Sequence, residues 1–162
     1  MQEIQLQPLI HMYPQLQLDN QLCFRLYTAA RLVTNSYAPY FKEHGITYLQ
    51  YLVLMILWEN DNQFVRVITE KLHLETNTVT PLLQRMEKQG LIVRQRGTAD
   101  SRQRIVSLTR EGKQLEERIK EVPNCLAREI VANGITVEEL QTMAPLLDKI
   151  IQVLSKNIVP ER

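Results

Sequence analysis

Apolar residues recur at helical spacing in two short stretches near the middle of the chain. Val67, Ile68 and Leu72 mark one face of a first helix, and Val79, Leu82, Leu83 and Met86 mark a second. A small polar turn separates them. Gly90 stops the second helix, because glycine suits the left-handed position that follows a last turn. Beyond Gly90 the apolar period shortens to two. Leu91-Ile92-Val93 leads outward, and on the return Ile105, Ser107 and Thr109 alternate with Val106 and Leu108. Between the two runs lies R-Q-R-G-T-A-D-S-R-Q-R, a basic, glycine-bearing hairpin tip. Two helices at a sharp turn followed by a β-hairpin predict a winged helix-turn-helix.

The flanks read as helical. Residues 1–17, with Pro8 and Pro14, predict an irregular arm. Asp19 or Asn20 is expected to cap one long helix reaching about His44, with Leu22, Leu26, Ala29, Val33, Tyr37 and Tyr40 along one face and Gly45 ending it. Thr47 caps Y-L-Q-Y-L-V-L-M-I-L-W-E-N, which is apolar almost all round and so belongs in the core, and Asn60-Asp61-Asn62 reads as a loop. After the hairpin, Thr109 with Gly112 opens a helix carrying Leu115, Ile119 and Val122, which Pro123 kinks or interrupts before L-A-R-E-I-V continues to Asn133-Gly134. Thr136 and Glu139 form a capping box for a last helix lined by Leu140, Met143, Leu147, Ile150, Ile151 and Leu154. The first and last helices carry more apolar surface than a small winged domain covers, so a homodimer joined through both ends of the chain is expected. The expected architecture is mainly α with a small β-hairpin wing. It divides into an arm with a dimerisation and sensor helix (1–46), a winged lobe (47–110) and C-terminal dimerisation helices (111–162).

Charge sharpens this picture. Residues 64–110 hold nine basic against four acidic side chains, an excess of five, whereas the whole 162-residue chain has 19 against 18. The positive excess sits where a winged lobe would meet double-stranded DNA. Thr76, Asn77, Thr78, Thr80 and Pro81 open the second helix, and Arg85 follows one turn on; these residue types suit phosphate oxygens and base edges. Arg94, Arg96, Asp100, Arg102 and Arg104 belong to the wing. Pro81 is tolerable if it falls within about the first turn. A merely solvated polar face is the rival reading, and the ordered succession of helix, stop and basic hairpin counts against it.

Composition excludes more than it specifies. With 44% hydrophobic and 23% charged residues the chain is ordinary for a soluble protein. It has no apolar run of membrane-spanning length and no basic-then-apolar leader at its start, so no membrane partner and a cytoplasmic location are expected. His11, His44 and His73 form no ligand cluster with Cys23 and Cys125. No phosphate-cradling glycine loop or Ser/His/Asp signature is present. No metal or cofactor is expected, and the chain reads as a regulator, not an enzyme.

From Asp19 to Leu154 this organisation resembles the MarR family of dimeric winged-helix regulators, with the wing motif carried by Asp100-Ser101-Arg102. The resemblance implies that the aspartate orients the arginine and that the arginine enters the minor groove. N-Q-L-C-F-R-L-Y-T-A-A-R, then Tyr37, then G-I-T-Y-L-Q-Y-L-V-L-M-I-L-W-E, is similar to the organic-hydroperoxide-sensing repressors of that family. That likeness implies a sensing role for Cys23 with Tyr37 and Tyr48 as its partners. It further implies a resolving role for Cys125, in V-P-N-C-L, as in the two-cysteine subgroup.

The residues themselves bear on Cys23 independently. A lone cysteine is most often an inert core residue. Cys23, however, falls within the first turn or so of the expected helix, where the dipole favours a thiolate, and Tyr27 lies one turn along the same face. A thiolate attacks peroxide oxygen to give sulfenic acid, which a second thiol condenses to a disulfide. On one straight helix Tyr37 would lie about 21 Å from Cys23, so any contact between them would come from the partner chain. Two alternatives stay open: a MarR-type regulator answering to a small aromatic ligand, and a thiol peroxidase that would leave the basic wing without a task.

Overall fold

The computed structural model describes residues 13–96 and 103–158, so positions 1–12 and the wing-tip residues Asp100, Ser101 and Arg102 lie outside the described residues. The described chain divides between Ser36 and Tyr37 into two compact units.

The first unit opens with two 3-10 turns, Pro14–Leu16 and Leu18–Asn20, and continues as helix α1, Leu22–Ser36. Neither Asp19 nor Asn20 caps it, contrary to expectation. The first bond closing α1 runs from the Arg25 N–H to the Gln21 carbonyl at 3.4 Å. Asn20 points its amide backward, donating to the Pro14 carbonyl at 2.8 Å and to Gln17 at 3.1 Å.

The expected single helix to His44 is also two helices. α1 ends at Ser36, Tyr37 follows, and a short α2 occupies Ala38–Lys42 with Pro39 in its first turn. Pro39 has no N–H to offer the Asn35 carbonyl, so the hydrogen-bond ladder lapses there. Gly45 ends the segment at φ +63°.

The second unit is built around α3, Tyr48–Glu59. Thr47 and Gln50 cap it reciprocally: the Gln50 side chain accepts the Thr47 N–H at 2.8 Å, and Thr47 Oγ1 accepts the Gln50 N–H at 3.4 Å. Tyr51, Val53, Leu54, Ile56 and Leu57 of this helix are buried, as its all-round apolar character predicts. Against them pack Ile68 of α4 (Val65–Leu72), Val79, Leu82, Leu83 and Met86 of α5 (Thr76–Lys88), and Leu115 and Ile119 of α6 (Arg110–Ile119). α7, Val122–Ala132, starts at Val122 with Pro123 in its first turn, where a missing N–H costs little. α8, Val137–Ile158, starts on the Thr136–Glu139 capping box.

The wing is a three-stranded antiparallel sheet in the order β1-β3-β2, not a bare hairpin. β2 (Ile92–Arg96) pairs with β3 (Arg104–Leu108), Ile92 opposite Leu108 and Arg96 opposite Arg104. The additional strand β1 is only Gln63–Phe64, paired to Val106 and Ile105. The loop before it holds it in place: Asp61 accepts the Leu108 N–H at 2.8 Å, and Asn62, at φ +63°, accepts the Ser107 hydroxyl at 2.7 Å.

Candidate nucleic-acid interface and thiol positions

α4 and α5 meet across a tight turn. His73 closes α4 in the left-handed region at φ +51°, and Leu74 and His73 donate back to the Thr69 and Glu70 carbonyls. α5 then begins at Thr76 without a side-chain cap. Thr76, Asn77 and Thr78 are thus its first helical residues, exposed, with their side chains toward solvent. Pro81 is the sixth residue of α5, beyond the first turn where it was expected, and α5 runs through it. Pro81 offers no N–H to the Asn77 carbonyl, and Asn77 is an exposed residue. At its far end α5 stops as expected: Gly90 sits at φ +73°, and Gly90 and Leu91 donate to the Glu87 and Met86 carbonyls.

A groove of about 1030 Å³ runs between α4, α5 and the sheet, with Arg66, Thr76, Thr80, Gln84, Arg94 and Arg104 among its lining residues. The basic residues along it have different occupations. Arg66 is paired with Glu70 at 2.6 Å. Arg94, expected among the DNA contacts, is tied into the fold. Its backbone N–H donates to Glu87 Oε1 at 3.0 Å, while Nε and a terminal nitrogen donate to Oε2 at 2.9 and 2.7 Å. These bonds hold the Glu87 carboxyl below its usual range against the opposing effect of burial. The pair fastens the wing strand to α5.

Arg85, Arg96 and Arg104 are exposed, and none of them bonds to another side chain among the described residues. Arg96 and Arg104 stand directly opposite one another across the β2–β3 ladder. Like charges in that position repel. The repulsion is relieved when a polyanion lies along the strands.

The two cysteines are free. Cys23 is the second residue of α1 and is exposed, in the unpaired first turn; Tyr27, one turn on, is 67% exposed. Tyr37 and Tyr48 belong to the other unit, where they come together with ring centroids 5.0 Å apart. Phe41, Tyr51 and Trp58 extend this aromatic cluster, which the sequence showed only as separate core or helix residues. Burial raises the pKa of both Tyr37 and Tyr48, with Tyr48 adding to the effect on Tyr37, and pushes Tyr51 up to about 12. All three hydroxyls are therefore protonated donors near neutrality. Cys125 is half-buried on α7, and Arg128, one turn on, donates to its sulfur at 3.4 Å. Next to it the Tyr40 hydroxyl donates to Glu129 at 2.7 Å, which raises the Tyr40 pKa. Neither Tyr40 nor Glu129 carried a local signal of this pairing, since 89 residues separate them.

A sharp helix pair, a glycine stop and a strand-braced wing define a winged-helix protein. The family model described as transcriptional regulator SarA/Rot matches residues 35–119. The organic hydroperoxide resistance transcriptional regulator of Bacillus subtilis (strain 168) is 38% identical over 130 residues, covering 80% of this chain and 88% of that one. Reduced AbfR bound to DNA, AbfR being a protein of Staphylococcus epidermidis, has a TM-score of 0.73 at 36% identity, covering 90% of this chain and 97% of that one. Disulfide-formed AbfR has a TM-score of 0.59 at 36% identity, covering 85% and 94%. The chain belongs to the MarR family of winged-helix transcriptional regulators, a family that is not enzymatic.

Proposed function

We propose that this chain is a thiol-switched repressor that binds operator DNA as a homodimer and releases it when an organic hydroperoxide oxidises Cys23. α5 and the basic wing supply the DNA-facing surface. Exposed apolar side chains on α1 and on α8, Leu22 and Leu32 on the first and Leu146 and Leu154 on the second, supply surface for a second copy.

The observation that carries the switch is Cys23 itself, a free and exposed thiol in the first turn of α1. It stands in a chain similar to a hydroperoxide-resistance regulator and to a protein solved both reduced on DNA and disulfide-formed. In the proposed chemistry the Cys23 thiolate attacks the terminal peroxide oxygen. The O–O bond breaks, the alcohol leaves, and cysteine sulfenic acid remains. The Cys125 thiolate of the partner chain then attacks that sulfur, expelling hydroxide, which is protonated to water, and forming the S–S bond. Cys125 must come within about 4.4–6.8 Å of Cys23, Cα to Cα, for the bond to close. Tyr27, Tyr37 and Tyr48 are assigned as hydroxyl donors to the reacting sulfur, and Thr76, Asn77, Thr78, Thr80, Pro81, Arg85, Arg96 and Arg104 as groups facing DNA.

The test pairs DNA binding with non-reducing electrophoresis, before and after cumene hydroperoxide. Wild type is expected to release operator DNA and to give a dimer-sized band that requires both cysteines. A Cys23→Ser protein that still lets go of DNA on peroxide treatment refutes the switch. Release by a small aromatic compound, unaffected by Cys23→Ser, would install the ligand-responsive reading in its place.

A further inference from the structure

We infer that Gln84 reads an adenine in the major groove and is a specificity-determining residue of this regulator, with Pro81 packed beside it; this rests on the proposed DNA-binding role of α5. The four buried residues of α5, Val79, Leu82, Leu83 and Met86, fix the direction of the core. Successive side chains turn by about 100° around a helix axis. The line opposite the core is therefore held by Asn77, Pro81, Gln84 and Lys88. Thr76, Thr80 and Glu87 fall on the flank toward the wing, as the Glu87 bonds to Arg94 confirm. Thr78 and Arg85 fall on the other flank.

A helix that enters a major groove pushes its outermost ridge against the base edges, while its flanks meet the two phosphate walls. On that ridge Lys88 is a point charge in the last turn, and Asn77 lies in the first turn with its side-chain oxygen accepting the Thr78 hydroxyl at 3.4 Å. Gln84 stands past the middle of the helix, exposed, lining the groove beside α4 and the wing, and bonded to nothing among the described residues. Its amide presents one donor and one acceptor side by side, which matches N7 and the N6 amino group of adenine. The Pro81 ring, three residues earlier on the same ridge, is an apolar surface of the kind that meets a thymine methyl. Arg85, a flank residue, is left to contact phosphate.

The experiment is enrichment of a random-sequence duplex library by the full-length wild-type protein, by Gln84→Ala, by Gln84→Glu and by Arg85→Ala, each first shown to melt like wild type. Wild type is expected to enrich a site with an adenine that Gln84→Ala no longer selects, with a loss of roughly five- to hundredfold on that site and an unchanged salt dependence. Gln84→Glu is expected to prefer cytosine there, because a carboxylate accepts from the cytosine amino group. Arg85→Ala is expected to weaken all sequences alike and to lower the salt slope by about one. If wild type enriches a motif and Gln84→Ala enriches the same motif with the same affinity, Gln84 is not a reader and the inference falls alone. If wild type enriches nothing, the DNA-binding role itself falls.

Discussion

Arg94 separates a positioning role from a DNA-binding one, and the pair it makes with Glu87 shows how to measure which holds. The side chains of Arg94 and Glu87 are 22% and 37% exposed, and three hydrogen bonds join the residues. A fully exposed ion pair is worth roughly 0.2–1 kcal/mol, and a hydrogen bond to a charged group in a covered site roughly 1.5–3 kcal/mol. Because the Glu87 carboxylate is more than a third exposed, solvent screening brings the value toward the lower figure, and about 1–1.5 kcal/mol of coupling is expected. The measurement is a double-mutant cycle of Glu87→Ala, Arg94→Ala and both together, followed by urea unfolding on Trp58 fluorescence at fixed protein concentration. Either single change is expected to lower the midpoint with an unchanged slope, and the double change to add little. In parallel, DNA affinity is read across a salt series. If Arg94 only fastens the wing, Arg94→Ala lowers affinity and leaves the salt slope as it was. A slope that falls by about one would make Arg94 a phosphate contact, and a coupling below about 0.3 kcal/mol would remove the structural role.

Three further outcomes follow from the geometry. A Cβ on Gly112 would run into the Leu91 carbonyl oxygen and lie 3.1 Å from the Leu108 side chain, so Gly112→Ala is expected to cost ~3 kcal/mol in urea unfolding, and wild-type stability would contradict the close approach. The buried Gln50 amide donates to Gln89 at 2.7 Å, and its oxygen accepts the Thr47 N–H at the start of α3 at 2.8 Å; Gln50→Leu removes both bonds and should lower stability by about 1 kcal/mol, with no change in thermal midpoint as the contrary result. Burial raises the Tyr51 phenol from 10.0 to about 12, so the unfolded chain releases that proton first. Its stabilisation is whole below pH 10 and lost as pH climbs toward 12, and Tyr51→Phe should flatten alkaline unfolding across that window in a pH series.

Local information sufficed for most of the elements. The change of period at Gly90, the Thr47 and Thr136 caps and the continuous apolar run of α3 each depend on residues within a few positions of one another, and short-range sterics and hydrogen bonding decide them. The break at Tyr37 was equally legible, since Pro39 lacks its N–H wherever it stands, but a strong apolar stripe from Leu22 to Tyr40 masked it. Tertiary structure alone decided the rest. Gln63–Phe64 is too short to signal a strand and becomes one only because β3 offers a free edge and Asp61 holds the loop against it. Spacing places Arg94 and Arg96 on the same face of β2, two residues apart, yet only the packing of β2 on α5 shows that Glu87 takes one of them while the other stands opposite Arg104. The aromatic cluster and the Tyr40–Glu129 bond likewise join elements distant in the chain. Periodicity tells which side of an element a residue occupies; which partner it meets there is settled by how the elements pack, and that depends on the whole core at once.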